Sequence, residues 1–281
     1  MARQTTREAI RDDDALDVVG GAAGELLAQL GVYDRTGDSA ALDRARWCGR
    51  RLLDATTETP AGYRVPTAEG GDERFAFAHG VGGIGAALVR LSAVTGDDEF
   101  GRVGRDALDL DLDLWQRHVD ASDSYSVGSG GDVATRSVAE GADETQIWGW
   151  CNGAVGVGLA RVVAADSGAD ELADGVSALR EDFRTQPSRE ASLCCGSAGR
   201  VAFMLDAGET LGDSELAARG EQLFGNLLER AESEGRIPLG NHLPMLPRFG
   251  LFTGLSGVGY VALQFEARER GYDLPNVARL E

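Results

Sequence analysis

Five Gly-x-x-Gly steps, each followed by an apolar run at helical spacing, constrain this chain more than any other feature. The steps begin at Gly21, Gly80, Gly153, Gly196 and Gly254. Leu26, Leu27 and Leu30 follow the first, and Leu88, Val89 and Leu91 the second. Leu159, Val162 and Val163 follow the third, Val201, Phe203, Met204 and Leu205 the fourth, and Tyr260, Val261, Leu263 and Phe265 the fifth. Residues three and four apart line one face of a helix, and no run alternates long enough to read as a strand. A helical unit that recurs at such intervals indicates an array or a closed ring. Glycine at the step suits a crowded inner layer, where a missing side chain lets helix ends approach closely.

The units share their ends as well. Thr36-Gly37-Asp38, Thr95-Gly96-Asp97 and Leu211-Gly212-Asp213 each read as a helix stop followed by the cap of the next helix. The following segments, such as 42–53 and 216–228, mix charge with apolar residues as outer helices do. The sequence therefore predicts an all-α fold, an α/α toroid of inner and outer helices with about five helical-pair repeats. Residues 17–281 form that unit and 1–16 a polar segment before it. Polar insertions at 58–72 and 120–145 read as loops or covers over one face.

Composition narrows the partners. Asp and Glu number 46 against 27 basic residues, giving a net charge of −19, and every one of the basic residues is Arg. A surface with no basic field argues against nucleic acid and anionic membrane. Dense carboxylates suit a salt-rich, halophilic interior, where self-repulsion is screened. Four cysteines do not make a disulfide scaffold in a chain of 281 residues. The polar start is not a signal peptide, and the longest apolar stretch, 153–165, is interrupted by Arg161 and too short to span a bilayer. A soluble, reducing, cytoplasmic setting follows, in which thiols stay free.

Three of those thiols stand at the glycine steps. Cys151 and Cys194 lie two residues before the first glycine of their steps, and Cys195 and His79 lie one before. If the repeats superpose, all four meet at one rim, at helix N-termini whose partial positive charge favours the thiolate. Three protein ligands with an open position are the pattern of catalytic zinc, and soft thiolates select zinc over magnesium or calcium. The competing reading of the three cysteines is buried core thiols. Cys48 reads as a core thiol of an outer helix, and His118 as a surface residue after an acidic amphipathic helix at 109–117. His242 is a secondary candidate that could reach the site from a loop. Asp17, four residues before its step, reads by itself as a helix cap.

Taken in order, "DVVGGAAG", "FAHGVGGIGAAL", "WCNGAVGVGLAR", "LCCGSAGR" and "LFTGLSGVGY" resemble the lanthionine synthetase C-like family, most closely the cyclase domain of class II lanthipeptide synthetases. The resemblance spans nearly the whole chain. It implies a double α/α toroid with Zn2+ at the rim, held by Cys151, Cys194 and Cys195, the last as in a three-cysteine subgroup. It matches His79 to the family's active-site histidine and Asp17 to its catalytic aspartate.

The activity implied is addition of a peptide cysteine thiolate to dehydroalanine or dehydrobutyrine, forming a thioether (lanthionine) ring. The substrate would be a dehydrated precursor peptide, prepared by a dehydratase domain or protein. Zinc holds the attacking sulfur as thiolate, and His79 is the general acid or base that serves the enolate. A three-thiolate zinc is more electron-rich than one with a histidine ligand, so the sulfur it holds is the stronger nucleophile. Two other readings stay open at this point: addition of a small thiol such as glutathione to dehydroamino acids, or a non-catalytic binding remnant. A glycosidase is disfavoured because no acidic pair occupies the rim positions. Two departures accompany the resemblance. Only five of seven family steps are found, the first two being the missing ones, so either upstream sequence is missing or the ring closes imperfectly; an open ring predicts association or instability through its exposed apolar faces. Ile147 and Asn152 also replace an arginine and an aromatic or His neighbour found in some relatives.

Overall fold

The computed structural model describes residues 6–59, 62–64, 66, 74–126, 148–179, 185–239, 249–272 and 274–279. Its architecture is all-α, with the inner and outer helices of an α/α toroid. After the short helix α1 (Arg7–Arg11), α2 (Ala22–Thr36) and α3 (Ser39–Ala55) form the first pair, and α4 (Val81–Thr95) and α5 (Asp98–Ser126) the second. The third inner helix is α6 (Ala154–Asp166), followed by a 3-10 turn (Asp170–Ala173) and the short α7 (Asp174–Ala178). Helices α8 (Ser197–Thr210) and α9 (Ser214–Glu234) form the fourth pair, and α10 (Leu255–Glu269) is the fifth inner helix, with a closing 3-10 turn at Val277–Arg279. All five apolar runs are thus helices, and each begins at its glycine step.

The inner helices pack consecutively, α2 on α4, α4 on α6, α6 on α8 and α8 on α10. Nearly every residue of α6, and all but one of the first eleven of α4, is buried, because inner helices are covered on both sides. An outer helix is covered on one side only. In α3 the buried set is Ala41, Leu42, Ala45, Cys48, Gly49 and Leu52, a single stripe at three- and four-residue spacing. Cys48 is the expected core thiol, with no exposure, and burial pushes its pKa up to about 12.

The helix ends follow the sequence signals. Gly37 and Gly96 close α2 and α4 in the left-handed conformation, at φ of 69° and 71°. Asp38 and Asp213 then cap α3 and α9 by accepting from the N–H groups of Ala40 and Leu216. The outer layer is less regular than the repeat predicts. Among the described residues full outer helices follow the first, second and fourth inner helices, whereas the third is followed by the two short turns.

Two insertions differ from expectation. Within the segment read as loop, Thr57–Thr59 (β1) and Gly62–Arg64 (β2) form a small antiparallel hairpin, with Glu58 opposite Tyr63. Three-residue strands are too short to show alternation. Helix α5 runs from Asp98 to Ser126, so it extends through the acidic stretch 109–117 and into the second insertion. The rest of that insertion, from 127, lies outside the described residues. No helix among the described residues is long and apolar enough to cross a membrane.

Candidate metal centre

The glycine steps build the rim by a backbone device. The segment before each of the first four inner helices folds back over the helix's first turn, so that N–H groups of the turn donate to carbonyls seven residues earlier. Ala23 and Gly24 donate to Leu16 and Asp17, Val81 and Gly83 to Arg74 and Ala76, and Gly156 to Gly149. Ser197, Ala198 and Gly199 donate to Glu190, Ala191 and Ser192. A Cβ on Gly24, Gly83, Gly156, Gly199 or Gly257 would collide with the carbonyl oxygen six residues before it, which is why the second glycine of the step is required. Most of these helix-start donors are therefore satisfied by main chain rather than by side chains at the apex of the fold.

Asp17 is not a helix cap. Its Oδ1 accepts from Gly20 N–H at 2.8 Å. The first N–H of α2 is met instead by Asp13, whose Oδ2 accepts from Ala22 at 2.8 Å and from Leu16 at 3.0 Å.

Two neighbouring apices bring the three cysteines together. Trp150 N–H donates to Cys194 O at 2.7 Å, tying the third loop to the fourth, and Cys194 N–H donates to Phe252 O at 2.8 Å, tying the fourth to the fifth. The buried Trp150 indole donates to Ala278 O at 3.0 Å and stacks on Phe252 at 4.5 Å between centroids. Held this way, Cys151 Sγ lies 3.5 Å from Cys195 Sγ, which lies 3.2 Å from Cys194 Sγ. All three sulfurs are within 4.8 Å of one another, and no pair is bonded. Among the described residues this is the one cluster of three or more His, Cys, Asp or Glu side chains able to hold a metal.

The donor set fits zinc. Tetrahedral zinc with Zn–S of about 2.3 Å places its sulfurs about 3.8 Å apart, within the range spanned by these atoms. Electrostatics point the same way. Hydrogen bonds from the Cys194 and Cys195 thiols, helped by the charge of His79, pull Cys151 down to about 3 against the effect of burial. Donating to that thiolate pushes Cys194 up to about 12, and Cys195 is raised as well. The cluster thus carries one negative charge readily, and further charge demands a cation among the sulfurs.

The second loop brings His79 beside this cluster. Val18 N–H donates to Ala78 O at 3.1 Å, joining the first loop to the second. His79 Nδ1 lies 2.8 Å from Asp17 Oδ2; the carboxylate side chain is 8% exposed and the imidazole 35%. Donating a hydrogen bond to the Asp17 carboxylate raises the His79 pKa above its ordinary value, outweighing burial. Burial opposes the charge on Asp17, but hydrogen bonds from His79 and the Gly20 N–H hold its pKa below the usual carboxylate value. The charges of His79 and Cys151 act on one another.

His118 is not a surface residue. It sits within α5, half-buried, with its ring against Phe75 at 5.1 Å and Trp115 at 6.0 Å. His242 and Ile147 lie outside the described residues. Asn152 stands exposed at the apex beside Cys151.

Comparison with known proteins agrees with this geometry. No curated protein matches the chain. A sequence profile described as lanthionine synthetase C-like protein matches residues 2–277, almost the whole length. The chain belongs to the lanthionine synthetase C-like family.

Proposed function

We propose that this protein is a zinc-dependent lanthipeptide cyclase, which joins peptide cysteines to dehydroalanine or dehydrobutyrine as thioether rings. Family membership supports a thioether-forming or related activity. The observation that carries the finer reading is the convergence of a three-sulfur cluster and a hydrogen-bonded His79–Asp17 pair at one rim. Cys151, Cys194 and Cys195 are the metal ligands in this reading, with a fourth position left for the substrate sulfur. A bound zinc supplies Lewis acidity that keeps a thiol ionised near neutral pH.

The chain's own residues do the rest. Addition of sulfur to the β-carbon of the dehydroamino acid forms the C–S bond and moves the π electrons into an enolate. That enolate takes a proton at its α-carbon. His79 is the donor, protonated because Asp17 accepts from its Nδ1–H and leaves the other ring nitrogen to deliver the proton. The proton lost by the thiol and the proton gained by the carbon balance, so the reaction is an isomerisation. The 17–281 unit carries all five groups. The partners are a dehydrated precursor peptide and the dehydratase that prepares it, in a reducing cytoplasm.

The test uses a peptide containing one cysteine and one dehydroalanine, incubated with zinc-loaded protein. Cyclisation removes the free thiol without changing peptide mass. A peptide that keeps its thiol would sink the cyclase reading. A mass increase on adding glutathione would instead favour small-thiol addition.

A further inference from the structure

We infer that Asp111 is a positioning residue for His79, acting with Arg161 to lock the second loop against the start of the Cys151-bearing repeat. Asp111 lies on the outer helix α5 and is fully buried, as is Arg161 on α6. One carboxylate oxygen accepts from Ala76 N–H at 2.7 Å, and the other lies 3.3 Å from Arg161 Nη1. The carboxylate also accepts from the N–H of Gly82. Arg161 is fixed in turn by donating from Nη2 to Leu108 O at 2.5 Å.

The contact replaces a piece of the repeat. In the fourth loop the middle donor of the first turn, Ala198 N–H, goes to a carbonyl of its own loop. In the second loop the equivalent donor, Gly82 N–H, goes to a side chain from another helix. Glycines make room on both sides of the pair. A Cβ on Gly82 would come within 2.7 Å of the Asp111 carboxylate, and one on Gly175 would collide with Arg161.

The segment so held is strained. Ala76 is a non-glycine residue at φ 81°, a conformation that persists only where surroundings impose it. Ala76 and Phe77 abut the glycine step of the third repeat, leaving 2.7 Å between Ala76 Cβ and a Cβ placed on Gly156. His79 follows three residues after Ala76. A buried ion pair contributes little to stability compared with a packed apolar pair. What the carboxylate adds is a fixed acceptor for two loop N–H groups, and with it the placement of His79 between Asp17 and Cys151.

The inference rests on the reading of His79 as proton donor, so its test has a readout separate from turnover. The protein has three histidines, so a ¹⁵N-histidine-labelled sample resolves the His79 Nδ1 proton shared with Asp17. In Asp111→Leu/Arg161→Met the fold and zinc content are retained, this resonance is lost or broadened, and thioether turnover falls about 100-fold. In Asp111→Asn/Arg161→Gln one amide oxygen serves one of the two loop N–H groups, and both readouts fall between wild type and the apolar variant. A folded apolar variant with an unchanged His79 resonance and turnover overturns the inference. If that variant does not fold, the Asn/Gln protein decides, and unchanged readouts there overturn it equally. A wild-type protein that forms no thioether counts against the cyclase reading alone, because the resonance still reports the position of His79.

Discussion

His79 Nδ1 and Asp17 Oδ2, 2.8 Å apart, join the apices of the first and second repeats by side chains where Val18 N–H and Ala78 O join them by main chain. The pair has a defined pH signature. His79 is raised, so its contribution to stability is complete below its unfolded value of about 6.5 and is lost as pH rises through the higher folded value. Asp17 is lowered, so its contribution is present above about 3.9 and is lost as pH falls through the lower folded value. The stability difference between wild type and Asp17→Asn is therefore largest between about pH 4 and 6.5, as urea unfolding across pH will measure. The alkaline limb of turnover moves to lower pH in Asp17→Asn, because the acid form of His79 no longer has a charged partner.

Metal loading supplies a second prediction. The purified protein carries one equivalent of zinc, and chelation abolishes turnover. Mutation of Cys151 or Cys194 to Ala leaves a protein well below one equivalent. Thiol titration of the folded, metal-free chain finds three partly exposed groups and one slow one, Cys48, which is fully buried. Zinc protects the three. Cys195→His keeps the metal and lowers turnover, since an imidazole donates less charge than a thiolate; equal turnover would remove support for the three-thiolate advantage.

Glycines in this chain have opposite roles that one experiment separates. In Gly156→Ala the new Cβ meets Trp150 O and lies 2.7 Å from Ala76 Cβ, so unfolding free energy falls by about 1–3 kcal/mol. In Gly225→Ala, within α9, nothing lies within 4 Å of the new atom. Helix propensity alone then acts, and stability rises by about 0.5–1 kcal/mol. Equal effects at the two sites would contradict the folded-back loop.

The charge of −19 predicts a salt dependence. Repulsion among exposed carboxylates is screened over about 10 Å at 0.1 M salt and about 3 Å at 1 M. The melting temperature accordingly rises with sodium chloride over that range, and a flat or falling curve would argue against a halophilic surface.

Much of this was legible in the sequence because it depends on spacing. Cys151, Cys194, Cys195 and His79 hold fixed offsets from glycines, and the structure brings the three loop apices that carry them together. The Gly37-Asp38 and Gly212-Asp213 signals likewise depend on local geometry alone. The clasp of each loop over its helix was not legible, since main-chain hydrogen bonds leave no trace but the second glycine. Asp111 was hidden for another reason. It sits in an alternating Asp-Leu stretch that reads as a solvated face, and only the neighbouring α6 turns that one carboxylate inward. The doublet Gly82-Gly83 was its one visible mark. His118 was misread on the same stretch, because Phe75, from the loop before α4, covers it from outside the local pattern together with Trp115 one turn earlier on α5.

The folded-back loop divides labour between main chain and side chain. Its frame is made of carbonyls, amides and two glycines, so it takes the same form whether the residues between carry a thiol, an imidazole or neither. Such an apex is a socket that does not depend on what is plugged into it. Reactive groups could therefore be exchanged between sockets, or a new one introduced, with the rim unchanged.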